Sequence, residues 1–357
     1  MAVSVDEQTA VAMPPGPVGG AEAWLGEELA QAQDWQFAFS PQVVDELALA
    51  VQRTAALDLA QITRAVFQVP AWAADLARIR DVLENGRGVA RITGLPVARF
   101  THDELRRLWV GIGALVGTVI PQNAYGELLE NVMAEPHRKV GQPNVRAYTT
   151  DSRLRFHADD CDIIGLLCVR PAKEGGENSI VSAMAVFNQL LRTRPEVLPQ
   201  LFEGYVCDLF GDERPGFPPV SDHPIPVFSW HAQRLSCRYS RNYLNMGAKR
   251  LGKELTAREV AAADAFEQAS EDPRLRYDLR LAAGDVMLLN NATVMHARTA
   301  FVDFDEAERR RLLLRLWLRA DHGRALAPAF EHRYGGDWSF RLGLPRTKTR
   351  AEAAPAS

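Results

Sequence analysis

From residue 154 onward the chain writes one short apolar run after another, each of strand length and each closed by a turn. The runs are IIGLLCV (163–169), NSIVSA (178–183), IPVFSW (225–230), RLSCRYS (234–240), DVMLLNN (285–291) and LLLRLWL (312–318). Short strands at near-regular spacing cannot stack into a helical bundle; they pair into a sandwich or a barrel. Two helical passages interrupt them. One is 184–202, and the other opens at Thr256, with Glu259 three residues on as in a capping box, and runs to about Ser270.

The N-terminal part has a different period. Val43, Val44, Leu47 and Leu49, then Leu76, Ile79 and Leu83, recur at helical spacing and predict helices over 41–65 and 71–87. Ser40-Pro41 supplies a start signal and Asn85-Gly86 a stop. GVARITGLPV (88–97) has strand composition, and Thr101 with Glu104 opens a helix over 102–116. Helices gathered before the strands predict a mainly β fold with flanking helices (α+β), of the double-stranded β-helix, jelly-roll or cupin-like kind. No internal repeat or linker divides the chain, so one domain over 21–345 is expected. The Pro/Gly-rich segment 1–20 and the polar tail 346–357 are expected to be disordered.

Composition excludes several function classes. A formal net charge of −4 over 357 residues leaves no basic footprint for nucleic acid. Cys161, Cys168, Cys207 and Cys237 show no CxxC spacing, which argues against a thiolate zinc site and for buried free thiols in a reducing compartment. The N-terminus lacks a basic region followed by an apolar one, and no stretch of about 18 apolar residues occurs. A cytoplasmic protein that binds neither membrane nor nucleic acid is expected, with a homo-oligomer left open.

Chemistry enters at Phe156-His157-Ala158-Asp159. In an extended segment residues i and i+2 project to one side, so His157 and Asp159 can grip one ion together. Such a pair alone is a common chance occurrence; its meaning comes from a partner further on. DVMLLNNATVMH reads as a buried strand that delivers His296 at its end, and two His with one carboxylate leave open positions suited to non-haem iron(II). Arg311 and Arg315 follow 15 and 19 residues later in RRRLLLRLWL. Strand alternation puts 311, 313, 315 and 317 on one face and Leu312, Leu314, Leu316 and Leu318 on the other. The leucine face needs a core, which sends two guanidiniums into the interior. A buried arginine without an anion is costly, so each predicts one.

HADD, the GGEN turn, LLNNATVMH and RRRLLLR together resemble, in order and approximate spacing, the taurine dioxygenase/TfdA-like family of iron(II)/2-oxoglutarate oxygenases over roughly residues 88–320. The resemblance implies that His157, Asp159 and His296 are the iron ligands and that Arg311 pairs with the distal carboxylate of 2-oxoglutarate. It also implies that Arg315 holds an anionic group of the substrate, the alternative being an internal salt bridge. Asn178 falls where the taurine enzyme has a threonine on the same 2-oxoglutarate carboxylate. Asn is a departure from the pattern, and Asn178 or neighbouring Ser179 makes that contact. Asn123, in the run 121–125, and Arg153 fall where family members place substrate-side residues. The cofactor set implied is Fe(II), 2-oxoglutarate and O2, with succinate and CO2 released. Halogenating relatives need a small residue in place of the carboxylate, so Asp159 favours hydroxylation of a small anionic molecule, while desaturation and oxidative cleavage use the same ligands.

Other residues compete for these roles. Asp160 neighbours Asp159 but is expected to point away from the ion. His231 precedes a hairpin turn at Ala232-Gln233 and is expected to be solvated. The run 237–243 either lines the pocket or forms a strand edge. Two rival functions remain at this point. A non-catalytic jelly-roll binder would keep the cavity without turnover, and a zinc hydrolase would leave Arg311 unexplained.

Overall fold

A computed structural model of the chain describes residues 12–123, 126–135, 149–209 and 218–331. The centre of its larger sheet is the strand Leu312–Arg319, buried over seven of its eight residues. That strand pairs antiparallel with Ile163–Arg170 on one side and with Thr118–Ile120 and Leu129–Val132 on the other. Beyond Ile163–Arg170 lie Val286–Asn290, Val89–Thr93 and, in parallel register, Gln36–Ala38. The smaller sheet has the order Arg276–Leu279, Asn178–Ser182, Val294–Arg298, Leu154–His157, all antiparallel.

Period-2 alternation sorts the side chains of the larger sheet into two cores. Leu312, Leu314, Leu316 and Leu318 point outward and join Trp109, Leu108 and Ile112 of the helix His102–Val116 in one cluster. Each buried leucine contributes roughly 1.5–3 kcal/mol. Gly165, in the middle of Ile163–Arg170, permits this close packing: a Cβ there would sit 2.8 Å from the Trp109 ring. Leu313 and Trp317 point the other way, into a core shared by Ile164, Leu166, Met287 and Leu289 of the larger sheet and Ile180 and Val294 of the smaller. The outer face of the smaller sheet, through Phe156, Val181, Met295 and Ala297, is covered by the helices Ala183–Thr193, Leu198–Glu203 and Ala257–Ser270. Two facing sheets with helices outside make the jelly roll that the strand pattern predicts.

Several boundaries differ from expectation for local reasons. The helix expected over 41–65 ends at Arg53, where Thr54 turns its hydroxyl back onto the carbonyls of Ala50 and Val51. The passage 184–202 is broken at Pro195, which has no N–H to continue the ladder. DVMLLNNATVMH is two strands, not one. The chain turns at Asn290–Thr293, where the Thr293 N–H donates to the Asn290 carbonyl (3.1 Å), and leaves the larger sheet for the smaller. A helix, Arg241–Arg250, follows the strand Arg234–Cys237, so the run 237–243 straddles a strand end and a helix start. Within the segment expected to be disordered, residues 12–20 lie in place: both backbone groups of Val18 bond the Asn188 side chain at 2.8 Å. The rest of that expectation, residues 1–11 and the tail 346–357, lies outside the described residues. All four cysteines are free and buried, and among the described residues no helix is long and apolar enough to cross a membrane.

Candidate metal centre and anion site

In the smaller sheet His157 stands directly opposite His296 across an antiparallel pair, and His296 stands opposite Ile180 on its other side. Directly opposed residues share a face. Because Ile180 belongs to the core between the sheets, both imidazoles point into that space, with ring centroids 4.3 Å apart. Asp159 follows His157 by two residues, and one ligand atom from each of His157, Asp159 and His296 lies within 4.8 Å of the others. Among the described residues no other set of three His, Cys, Asp or Glu groups converges in this way.

The surroundings leave each group one atom to offer. His157 Nδ1 lies 2.8 Å from the Arg155 carbonyl, which fixes the proton on Nδ1 and turns Nε2 toward Asp159 Oδ1 at 3.7 Å. Asp159 Oδ2 accepts from Trp317 Nε1 at 2.9 Å and from Arg315 Nη1 at 3.2 Å. Its backbone N–H donates to Asn291 Oδ1, whose Nδ2 donates to the Cys161 carbonyl. The ligands therefore come from the smaller sheet, and the groups that hold the carboxylate come from the central strand of the larger one.

Electrostatics set the protonation states. Burial pushes the Asp159 carboxyl up, but the Arg315 guanidinium, the two imidazoles and the Trp317 N–H outweigh it and hold the group at about 2. Burial, followed by the neighbouring His157, pushes His296 down to about 3. At neutral pH the pocket thus presents an anionic carboxylate and a neutral imidazole, the forms that bind a divalent cation. His296 Nδ1 is buried with no hydrogen-bond partner. Two nitrogens and a carboxylate oxygen on one side of a point suit iron(II) with open positions; the donor set fits that ion.

Arg311 is 2% exposed, with Nη1 unpartnered. Its guanidinium lies 5.2 Å from the Phe301 ring, and its backbone N–H donates to Asp303 Oδ1. Burial pushes it down to about 10, so it stays charged at neutral pH. Asn178, 5% exposed, starts the strand Asn178–Ser182, in register with Arg298. It shares the interior face with Ile180, whereas Ser179 is on the opposite face.

The remaining candidates separate. Arg315 is engaged internally: besides Asp159, its Nε donates to Gln122 Oε1 at 2.7 Å. Asn123 is buried and donates to Glu127 and Glu130; it adjoins a cavity lined by Arg106, Glu127, Glu130, Met133, Glu135 and Thr149. Arg153 is turned away, exposed and paired with Glu271 on the surface. Ala124 and Tyr125 lie outside the described residues. Asp160 is buried but outside the converging group. His231 is exposed beside a two-residue turn in which Ala232 and Gln233 both have positive φ (49° and 60°). Gln122, in the run 121–125 expected on the substrate side, bonds Arg315 instead; the parts played by Trp317, Asn291 and Arg298 escaped the sequence reading. Trp317 shares the strand period of Arg311 and Arg315, and Arg298 that of His296, so that period was the available signal. The contacts of Asn291 and Gln122 left none.

Comparison with known proteins agrees with this geometry. Residues 55–317 match the "Taurine catabolism dioxygenase TauD, TfdA family". FR-33289 synthase from Streptomyces rubellomurinus is 31% identical over 325 residues, covering 89% of this chain and 95% of that protein. The taurine hydroxylase-like protein SAT17 from Stachybotrys chartarum is 27% identical over 314 residues, covering 84% and 79% respectively. The fold is similar to that of asparagine oxygenase in complex with Fe(II), 3-hydroxyasparagine and succinate, with a TM-score of 0.62, 14% identity, and 80% of this chain and 93% of that one covered. The match begins some thirty residues before the motif-bearing region and so takes in the helix Ala73–Glu84. The chain belongs to the taurine dioxygenase/TfdA family and is a 2-oxoglutarate-dependent, non-haem iron oxygenase.

Proposed function

We propose that His157, Asp159 and His296 hold the iron(II), that Arg311 with Asn178 receives the distal carboxylate of 2-oxoglutarate, and that the reaction hydroxylates a small anionic molecule. The observation that carries this reading is the pairing of two features in the interior of the jelly roll. Three ligand atoms converge within 4.8 Å, and a buried guanidinium keeps an unpartnered N–H. Bound iron(II) supplies the activation of dioxygen and the oxidative decarboxylation of the keto acid to succinate and CO2.

The chain's own residues do the positioning. Trp317 and Arg315 occupy one oxygen of Asp159, so the carboxylate would offer the other to the ion. His157 is held in one tautomer by the Arg155 carbonyl. Arg311 orients the co-substrate from its far end, each charged hydrogen bond contributing about 1.5–3 kcal/mol. Met287, Leu289, Leu313 and Val294 keep the space between the sheets dry. The anionic substrate class draws support from the family's name and from the taurine hydroxylase-like relative, since taurine carries a sulfonate.

Anaerobic addition of iron(II) and 2-oxoglutarate should produce a weak visible charge-transfer band; a colourless mixture would favour a binder without turnover. Aerobic succinate release, screened over sulfonates, phosphonates, phosphate esters and carboxylates, then identifies the substrate. Stimulation by neutral molecules alone would remove the anionic assignment.

A further inference from the structure

Arg298 lies two residues beyond His296 on the same strand, so it shares the interior face with the imidazole. Two residues of strand rise about 6.7 Å, which places Arg298 one short side-chain length along the strand from His296. It is 3% exposed. Only Nη2 has partners, the carbonyls of Thr150 and Ser152; Nε and Nη1 are buried with none. Its guanidinium packs 4.7 Å from the centre of the Phe301 ring, the ring that also carries Arg311 at 5.2 Å. Asp303 accepts from the Arg311 backbone N–H through Oδ1 and offsets the charge of Arg311, and Asp151 offsets that of Arg298, yet neither accepts a hydrogen bond from the two orphaned guanidinium faces. Gly176, at φ +72°, borders the same niche. A Cβ there would come within 3.3 Å of Arg311 Nε and 3.4 Å of Phe301.

Two buried cations on one ring repel each other, and both keep N–H groups that no described residue accepts from, although Asp151 and Asp303 offset part of the charge. Burying such a pair is strongly unfavourable unless an anion completes it. A carboxylate has two oxygens and can accept from two guanidiniums at once. We propose that Arg298 is a second arm of the anion site, gripping with Arg311 the distal carboxylate of 2-oxoglutarate; this rests on the reading of Arg311 above. Arg298 thereby links the co-substrate to the backbone at Thr150 and Ser152, through the Nη2 that the anion does not use.

The test is anaerobic titration of the iron(II)-loaded enzyme with 2-oxoglutarate and, separately, with 2-oxobutyrate, which keeps the keto-acid head and lacks the second carboxylate. Binding is read by the visible band and by calorimetry. Arg298→Met should weaken 2-oxoglutarate binding about 10-fold or more and leave 2-oxobutyrate unchanged. Arg298→Lys, which still donates to the two carbonyls, should fall between, again for 2-oxoglutarate only; it decides the matter where Arg298→Met does not fold. Equal weakening of both keto acids, or no weakening of either, makes Arg298 a tether and overturns the proposal. Arg311→Met separates the two failures. If it weakens 2-oxoglutarate while the Arg298 variants do not, the proposal alone falls; if it has no effect, the reading of Arg311 falls and takes the proposal with it.

Discussion

The interior between the sheets has two charged regions, and they are completed in opposite ways. At the metal end the protein supplies the counter-charge itself: Arg315 and Trp317 rise from the larger sheet to hold Asp159 on the smaller one. At the anion end Arg298 and Arg311 crowd one phenyl ring, and their orphaned N–H groups have no acceptor among the described residues. The first end is preorganised, so the carboxylate of the candidate metal centre is pinned in advance. The second keeps a partly offset positive charge that an incoming dianion neutralises. Arg311 and Arg315 make the contrast sharp, because they lie four residues apart on one face and yet serve different ends.

Substitutions can break that comparison or sharpen it. The largest effect is expected from Asp159→Ala. It should abolish turnover and iron binding, measured by metal stoichiometry. It should also cost about 3–5 kcal/mol of stability in thermal or denaturant unfolding, since Arg315 is left buried without its carboxylate. Asp160→Ala should leave the iron stoichiometry intact; loss of iron there would move the centre. Next comes Arg311→Met, expected to raise the 2-oxoglutarate concentration needed for half-maximal succinate release by about 10-fold or more while iron stoichiometry stays at wild type. A loss of iron in this variant would show that the two ends are not independent.

A smaller loss is expected from Trp317→Phe, which removes one hydrogen bond to Asp159 Oδ2 and keeps the packing. Unfolding should detect about 1–3 kcal/mol, the range for a hydrogen bond to a charged group or a buried acceptor left unmet, and iron should bind more weakly. In the metal-free protein His296 is held near 3, below its ordinary 6.5. Between those values the unfolded chain binds the extra proton, so stability should rise as pH climbs from about 3 to about 6.5. His296→Gln should flatten that part of the profile; an unchanged slope would assign it to other groups. Arg153→Ala should have the smallest effect, within about 0.5 kcal/mol and with kcat/KM unchanged, because its ion pair with Glu271 is exposed.

What could be read in the sequence was what strand periodicity and short spacing carry. His157 and Asp159 are two residues apart, and the alternation in LLLRLWL alone sends Arg311 inward. Contacts between distant segments could not be read this way. Gln122 reaches Arg315 across 193 residues, and Asn291 reaches Asp159 across 132. No local pattern encodes either. The turn at Asn290–Thr293 was signalled by Asn290-Asn291, which close the run DVMLLNN, but nothing local showed that the chain changes sheets there. The helix Arg241–Arg250 was missed for the opposite reason: it buries only Leu244, Gly247 and Ala248, and Asn and Gly are weak helix formers.

The direct opposition of His157 and His296 has a bearing on how the chain reaches its native state. A strand that slips by one residue turns every side chain to the other surface, so a misaligned Leu154–His157 would carry its imidazole toward the helices and offer the cation a single histidine. If these residues hold the iron, metal present during refolding would favour the correct strand alignment. It rewards the one pairing in which both rings meet, and recovery of active protein from denaturant should rise with metal while the same addition does nothing for a His157→Ala chain.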